Sequence, residues 1–136
     1  MLKLFTFIFL TIVSITLNAA NLQDRGGVKY QINHEEPYTG TSTETYYSGE
    51  KRSITHYLNG LKHGLEREFY TSGQNKIELH YKNGKKHGSA KEWYINGQKR
   101  IFQSFNKGLE NGLYREWHNN GQLELKVGYR KGKRDG

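Results

Sequence analysis

The chain has 136 residues, of which 21 are Lys or Arg and 13 are Asp or Glu, so its net charge is +8 with neutral histidines. It contains no cysteine, which excludes disulfide bonds, thiolate metal sites and attachment of lipid to a cysteine. The excess of positive charge favours anionic partners such as phospholipid headgroups, wall polymers or acidic proteins.

Residues 1–20 have the pattern of a secretory signal peptide. Lys3 supplies a positive charge, residues 4–17 are an apolar run without a charged side chain, and Asn18-Ala19-Ala20 offers small residues for cleavage. The run is short for a membrane span, which needs roughly 20 apolar residues. We therefore expect an exported protein, periplasmic or extracellular, with an uncleaved N-terminal anchor as the alternative.

Residues 21–39 precede the regular part of the sequence and are predicted to form a capping segment. Val28, Tyr30 and Ile32 alternate with polar residues, which is typical of a short strand, and a turn is predicted at residues 33–37. Repeat proteins commonly end in atypical units that cover an open edge. We expect this segment to cover the N-terminal edge of the sheet that follows.

Residues 40–136 contain four repeats of 24 residues, at 40–63, 64–87, 88–111 and 112–136. Each repeat carries two polar turn signals that end in glycine, a pattern that favours β-hairpins over helices. The predicted structural turn glycines are Gly49, Gly73, Gly97 and Gly121 in the first position, and Gly60, Gly84, Gly108 and Gly132 in the second. The predicted fold is all-β, a single extended and twisted antiparallel meander of hairpin repeats. The last strand is predicted near residues 123–129, as an edge strand, and residues 131–136 are predicted to end before another strand can form.

The predicted register follows from a type I turn with glycine after it. It places Tyr70 opposite Gln74, Glu68 opposite Lys76 and, at the second turn, Tyr81 opposite Lys85. Because side chains alternate along a strand, this register collects aromatic and basic residues on one face. The candidate binding residues on this face are Tyr57, Arg67, Phe69, Tyr81, Lys91, Trp93, Phe105, Arg115, Trp117 and Tyr129. The alternative is that these rings form the core of a coiled sheet.

Two sequence patterns resemble a known family. The unit in Tyr81-Lys-Asn-Gly84-Lys-Lys-His-Gly88 and Tyr94-Ile-Asn-Gly97 is similar to the variant MORN repeat of the bacterial YwqK-family antitoxins, and residues 25–40 are similar to the segment that opens such arrays. The resemblance covers about residues 25–136. It implies an extended antiparallel sheet without catalytic machinery that binds proteins or associates with membranes. It also implies the alternative function of an antitoxin or immunity-type neutraliser of a partner toxin, although a signal peptide departs from a cytoplasmic antitoxin.

Two rows of titratable residues are candidates for chemistry. Glu44, Glu68, Glu92 and Glu116 recur at one position and could act as an acid–base pair, but the predicted register places the first three opposite Arg52, Lys76 and Arg100 and sets Glu116 opposite another acid, Glu124. Such pairing explains the row structurally. His56 and His80, and likewise His63 and His87, could bind a metal if a third ligand approached, but their repetition favours turn or surface roles. We expect no catalytic residue, no metal and no cofactor.

The expected partners follow from charge and from the aromatic face. They are an unknown protein, a toxin among the candidates, or an anionic envelope component, and nucleic acid is disfavoured by export. An exposed aromatic face also allows peripheral membrane association or self-association.

Overall fold

The computed structural model describes residues 15–135, and most of them lie in β-strands. Residues 1–14 of the predicted signal peptide lie outside the described residues. The remaining part of that segment forms β1 and most of a 3₁₀ turn, Ala19–Asn21. The strands are β1 (Ile15–Asn18), β2 (Leu22–Arg25), β3 (Val28–Gln31), β4 (Gly40–Thr45), β5 (Lys51–Leu58), β6 (Leu61–Phe69), β7 (Asn75–Lys82), β8 (Lys85–Trp93), β9 (Lys99–Asn106), β10 (Leu109–Glu110), β11 (Gly112–Trp117), β12 (Leu123–Arg130) and β13 (Lys133–Arg134).

One long sheet contains all these strands except β2 and β3. From β4 to β13 neighbouring strands follow chain order and pair antiparallel, with the short β10 beside β9. At the other end β1 lies beside β4 and is parallel to it. The predicted all-β antiparallel meander of hairpins is confirmed. The prediction that no strand forms after the one near residues 123–129 is wrong, because β13 pairs with the end of β12.

Two kinds of turn alternate along the meander. The wider kind closes β4–β5, β6–β7, β8–β9 and β11–β12. In the β6–β7 turn, the N–H of Gly73 donates to the carbonyl of Tyr70 (2.9 Å) and the N–H of Tyr70 donates to the carbonyl of Gln74 (2.9 Å). Gly73 has a φ of 80°, a conformation that glycine adopts without steric cost. This turn has the predicted form, and the four first-position glycines all have positive φ.

The second kind of turn is narrower than predicted. Asn83 and Gly84 have φ angles of 50° and 77°, and Lys82 pairs directly with Lys85 across them. Two consecutive residues at positive φ between paired neighbours make a two-residue turn of type I′. The predicted pairing of Tyr81 with Lys85 is therefore wrong, because Tyr81 pairs with Lys86. Equivalent turns occur at Asn59-Gly60, Lys107-Gly108 and Lys131-Gly132.

A β-bulge beside each wide turn changes the register that the sequence predicts. Phe69 pairs with Asn75 as expected, but the next residue, Glu68, pairs with Ile77 and not with Lys76. The same shift recurs between β4 and β5, between β8 and β9, and between β11 and β12. A shift of one residue exchanges the two faces of a strand. The ten residues predicted to share one face are therefore divided between both.

The two faces differ in what they carry. We call one the tryptophan face, defined by Arg67, Phe69, Lys91, Trp93, Arg115 and Trp117, and the other the tyrosine face, defined by Tyr57, Tyr81, Phe105 and Tyr129. The buried residues of β4 to β12 form a central row on the tyrosine face. They are Ser42, Thr55, Glu66, Ala90 and Val127, and none of the described side chains is less than 2% exposed. The sheet is thus one layer with a thin interior.

The N-terminal segment covers one corner of the sheet. β2 and β3 form a separate hairpin, and the N–H of Lys29 donates to the carbonyl of Gly60 (2.8 Å). The N–H of Gly60 in turn donates to the carbonyl of Tyr38 (2.7 Å), which is 5% exposed. The edge of β4 itself is paired with β1, so the edge is covered by part of the predicted signal peptide.

Candidate binding surface

The tryptophan face retains six of the ten predicted binding residues. Phe69, Trp93 and Trp117 each end the first strand of a wide hairpin, and a cation stands two residues before each ring. All three rings are partly exposed. On the same face Phe102 pairs with Lys91 on one side and with Arg115 on the other. Rings and cations therefore alternate along this face of the layer.

A partly buried carboxylate fixes two of these cations. Glu78 lies between Lys91, whose Nζ is 2.9 Å from Oε1, and Arg67, whose Nε is 3.6 Å from Oε2. The hydrogen bond from Lys91 holds the pKa of Glu78 below its usual value, and Arg67 adds to the effect. Glu78 is 14% exposed, whereas the two cations are 36% and 47% exposed. The carboxylate orients the cations while their outer surfaces stay accessible to solvent.

A tyrosine from the preceding repeat fixes the backbone under each ring. The hydroxyl groups of Tyr46, Tyr70 and Tyr94 donate to the carbonyls of Phe69, Trp93 and Trp117 at 2.6, 2.7 and 2.8 Å. Each donor and acceptor are 23 residues apart, so the bond joins successive repeats. This ladder was not predicted, although the tyrosine row is visible in the sequence as a 24-residue recurrence.

The other four predicted binding residues lie on the tyrosine face, in a different environment. Tyr57, Tyr81, Phe105 and Tyr129 each pair with a glycine, which leaves room for the ring over the backbone. Lys62 lies over the ring of Tyr81 (5.1 Å to the centroid) and contacts Glu66 (2.5 Å). Burial, with Glu66 nearby, raises the pKa of Tyr81. All four rings are partly exposed.

The C-terminal part of the tyrosine face has its own partly buried phenol, Tyr114. The hydroxyl of Tyr114 donates to Glu116 (2.8 Å), and its ring meets that of Tyr129 edge to face, with the centroids 6.4 Å apart. Burial, together with the bond to Glu116, raises the pKa of Tyr114 to about 12. Both phenols, Tyr81 and Tyr114, are therefore neutral hydrogen-bond donors near pH 7.

The glutamate row makes structural contacts. Glu44 lies 4.0 Å from Arg52 and Glu92 lies 3.6 Å from Arg100, so these two predicted ion pairs are present. Both ion pairs form despite the changed register, because the bulge leaves the two partners of each pair close together beside the turn. The prediction that Glu116 faces Glu124 is wrong. Glu116 pairs with Leu125, and Glu124 contacts His118 at 3.3 Å.

The repeated histidines contact backbone atoms. The Nδ1 atoms of His56 and His80 lie 2.5 and 3.1 Å from the carbonyl oxygens of Leu65 and Ser89. The Nδ1 atom of His87 accepts from the N–H of Lys107 (3.5 Å), at the next narrow turn. At the other three narrow turns the N–H groups of Asn59, Asn83 and Lys131 donate in the same way to the side chains of Thr39, His63 and Asn111. Within residues 15–135, no three His, Asp or Glu side chains come close enough to hold a metal ion.

Comparisons with known proteins give no further identification. No protein-family model, no curated protein and no solved structure matches this chain. Among the described residues, no helix has the length and apolar character needed to cross a membrane.

Proposed function

We propose that this chain is an exported, non-enzymatic binding module that uses the tryptophan face to hold a protein or envelope partner. The observation that carries the proposal is the alternation of Phe69, Trp93 and Trp117 with oriented cations on an uncovered face of a single-layer sheet. Large rings beside Arg or Lys are typical of residues that dominate binding energy at interfaces.

The environment of the titratable residues also supports a non-enzymatic function. Glu44 and Glu92 are engaged with arginines, and Glu78 is engaged with both of its neighbouring cations. General acid–base catalysis needs a carboxyl group whose proton can be exchanged with a substrate near the working pH. Lys91 and Arg67 instead hold Glu78 in its charged form by lowering its pKa.

A neutraliser of a toxin is the second candidate. It rests on the resemblance of residues 25–136 to the YwqK-family antitoxins, and on a fold of the kind that this resemblance implies. A neutraliser would use the same tryptophan face, but it would bind one protein in a fixed ratio. Capture of anionic lipid or wall polymer would favour the more general binding module.

A quantitative pull-down from the native envelope tests the proposal. The mature chain, residues 21–136, is compared at low and high salt with a Trp93→Ala/Trp117→Ala variant. A Tyr47→Ala/Ile95→Ala variant is the control, because these two side chains are exposed in wide turns and are not among the residues that define the tryptophan face. We expect one partner to be retained at high salt by the mature chain and by the control, and to be lost in the double tryptophan variant. Equal capture by all three proteins would contradict a binding role for this face.

A further inference from the structure

The turns lie at the two opposite ends of the strands, and these two ends of the sheet differ in charge. We define the narrow-turn side as residues 58–63, 82–87, 106–111 and 130–135, and the wide-turn side as residues 44–52, 68–76, 92–100 and 116–124. The narrow-turn side carries nine Lys or Arg and two acids, whereas the wide-turn side carries five Lys or Arg and six acids. The net charges are therefore +7 and −1. Since successive turns of a meander lie on opposite sides, the alternation of turn sequences concentrates the positive charge of the chain on one side.

A smaller share of the cations has a carboxylate partner on the narrow-turn side. Among the described residues, Lys62 and Arg130 are paired there, two of nine cations, whereas Arg52 and Arg100 are paired on the wide-turn side, two of five. Within residues 15–135, no ion pair involves Lys82, Lys85, Lys107 or Lys131, and all four side chains are exposed. Exposed like charges held close together repel one another, and an anion bound between them relieves this repulsion.

These lysines line two adjoining clefts at the same position in successive repeats. The first has a volume of about 310 Å³ and is lined by Lys82, Asn83, Lys85, His87 and Lys107. The second, of about 280 Å³, is lined by Asn106, Lys107, Leu109, Asn111 and Lys131. Lys107 belongs to both clefts. Equivalent points are two strands apart, about 9.5 Å, so the two clefts lie side by side along the narrow turns, and we call them together the groove.

We propose that this groove binds a linear polyanion, which lies across the narrow turns and contacts several repeats at once. This binding goes beyond the proposed function, because the groove is a surface separate from the tryptophan face. The ammonium group of lysine is a compact charge and lacks the planar, two-pronged donor geometry of a guanidinium. A row of lysines therefore favours a ligand with closely spaced negative charges over a ligand with one planar anionic group. A chain of phosphate groups supplies this density at every repeat, whereas a single small anion reaches one cleft only.

Binding of long-chain inorganic polyphosphate to the mature chain, measured by calorimetry at several salt concentrations, tests the proposal. The test variant is Lys82→Gln/Lys85→Gln/Lys107→Gln, and the matched control is Lys51→Gln/Lys76→Gln/Lys99→Gln on the wide-turn side. Both lose three positive charges, so they have the same net charge. A third variant, Lys82→Arg/Lys85→Arg/Lys107→Arg, keeps the charge of the groove. Far-UV circular dichroism establishes that each variant is folded.

We expect the test variant to bind at least tenfold more weakly, and the control and the arginine variant to stay within about threefold of the mature chain. The slope of log affinity against log salt should fall in magnitude by roughly 2 in the test variant, because each phosphate that a lysine neutralises adds about 0.7 to it. Orthophosphate at the same total phosphate concentration should bind far more weakly. Equal losses in test and control variants, or orthophosphate binding as tightly as the polymer, would overturn the proposal.

Binding in the groove is separable from the function assigned to the tryptophan face. The Trp93→Ala/Trp117→Ala variant should retain polyphosphate binding, because neither ring lines the groove. Loss of polyphosphate binding in the lysine variant with an unchanged envelope pull-down would support the groove alone. Unchanged polyphosphate binding in that variant would refute the groove and leave the tryptophan face untouched.

Discussion

The hydroxyl of Tyr70 donates a 2.7 Å hydrogen bond to the carbonyl of Trp93, and so joins the second repeat to the third. Replacement of Tyr70 by Phe leaves that carbonyl without its donor. We expect a loss of about 1 kcal/mol in the free energy of unfolding, as is typical for one intramolecular hydrogen bond. Urea denaturation measures the loss. Tyr47→Phe is the control and should change stability by less than about 0.5 kcal/mol, since Tyr47 is fully exposed in a wide turn. Equal effects of the two changes would contradict a stabilising role for the ladder.

The docking of the N-terminal hairpin predicts unequal effects of two glycine substitutions. Gly60 and Gly84 have nearly the same φ, 75° and 77°, so the backbone cost of Ala is nearly the same at both. A Cβ at Gly60 would collide with Val28 and come within 2.7 Å of the Lys29 carbonyl oxygen, whereas at Gly84 its nearest neighbour is Leu61 at 3.6 Å.

We therefore expect Gly84→Ala to lose about 1 kcal/mol through its backbone conformation, and Gly60→Ala to lose about 1–3 kcal/mol more by overpacking. Thermal and urea unfolding of both variants give the difference. If the two losses were equal, the β2–β3 hairpin would not be packed on the Asn59-Gly60 turn.

A single substitution at the third narrow turn should stabilise the protein. Lys107 has a φ of 51°, at the position that Asn59 and Asn83 occupy in the first two repeats. Asn tolerates this left-handed conformation better than Lys. Lys107→Asn should therefore raise the free energy of unfolding by about 0.5–1 kcal/mol, the usual gain from a residue that suits the native backbone conformation better. Lys107→Gln removes the same charge without this preference and should give no gain. A gain of equal size in both variants would assign the effect to charge repulsion.

The ion pairs of Glu78 predict a dependence of stability on pH. Lys91 and Arg67 lower the pKa of Glu78 in the folded state. Its contribution to stability is therefore present above the pKa of the unfolded state, about 4.3, and disappears as the pH falls through the folded value. Glu78→Gln should cost about 1 kcal/mol at pH 7 and much less at about pH 2–3. Urea titrations of the variant and of the parent chain at both pH values measure this, with Glu36→Gln as the exposed control. A cost that did not change with pH would contradict the ionic origin.

The sequence was sufficient for the meander but not for its register. Glycines 24 residues apart and alternating polar segments predicted the fold class and the positions of the turns. The two turn sequences in one repeat, Tyr70-Thr-Ser-Gly73 and Tyr81-Lys-Asn-Gly84, end alike, and we predicted the same geometry for both. The physical difference lies in whether the residue before glycine also has positive φ. It does at Asn83, whereas at the wide turn only Gly73 does.

The residues that make up the tryptophan face were predictable only in part, because the β-bulges that set the register were not predicted. A bulge at Glu68–Phe69 has no residue type that marks it, and its single extra residue transfers Ile77, Leu79 and Tyr81 to the other face. The predicted run Arg67, Phe69 survives because it lies on the strand without the extra residue. Groups that act between repeats, such as Tyr70 and His87, recur visibly in the sequence, but their partners 23 and 20 residues away follow only from the stacking of the turns.

The pairing of β1 with β4 gives the proposed export a structural consequence. Removal of residues 1–20 would take away Ile15–Asn18, which pair with Gly40–Thr43. The uncovered strand, Gly40–Thr45, contains no Lys, Arg or Pro, the residues that commonly protect an exposed edge. In a chain that keeps its leader the outer strand at that end is the four-residue β1, whereas in the processed chain it would be the six-residue β4. Maturation would then replace one edge strand by a longer one that could pair with a strand from another molecule.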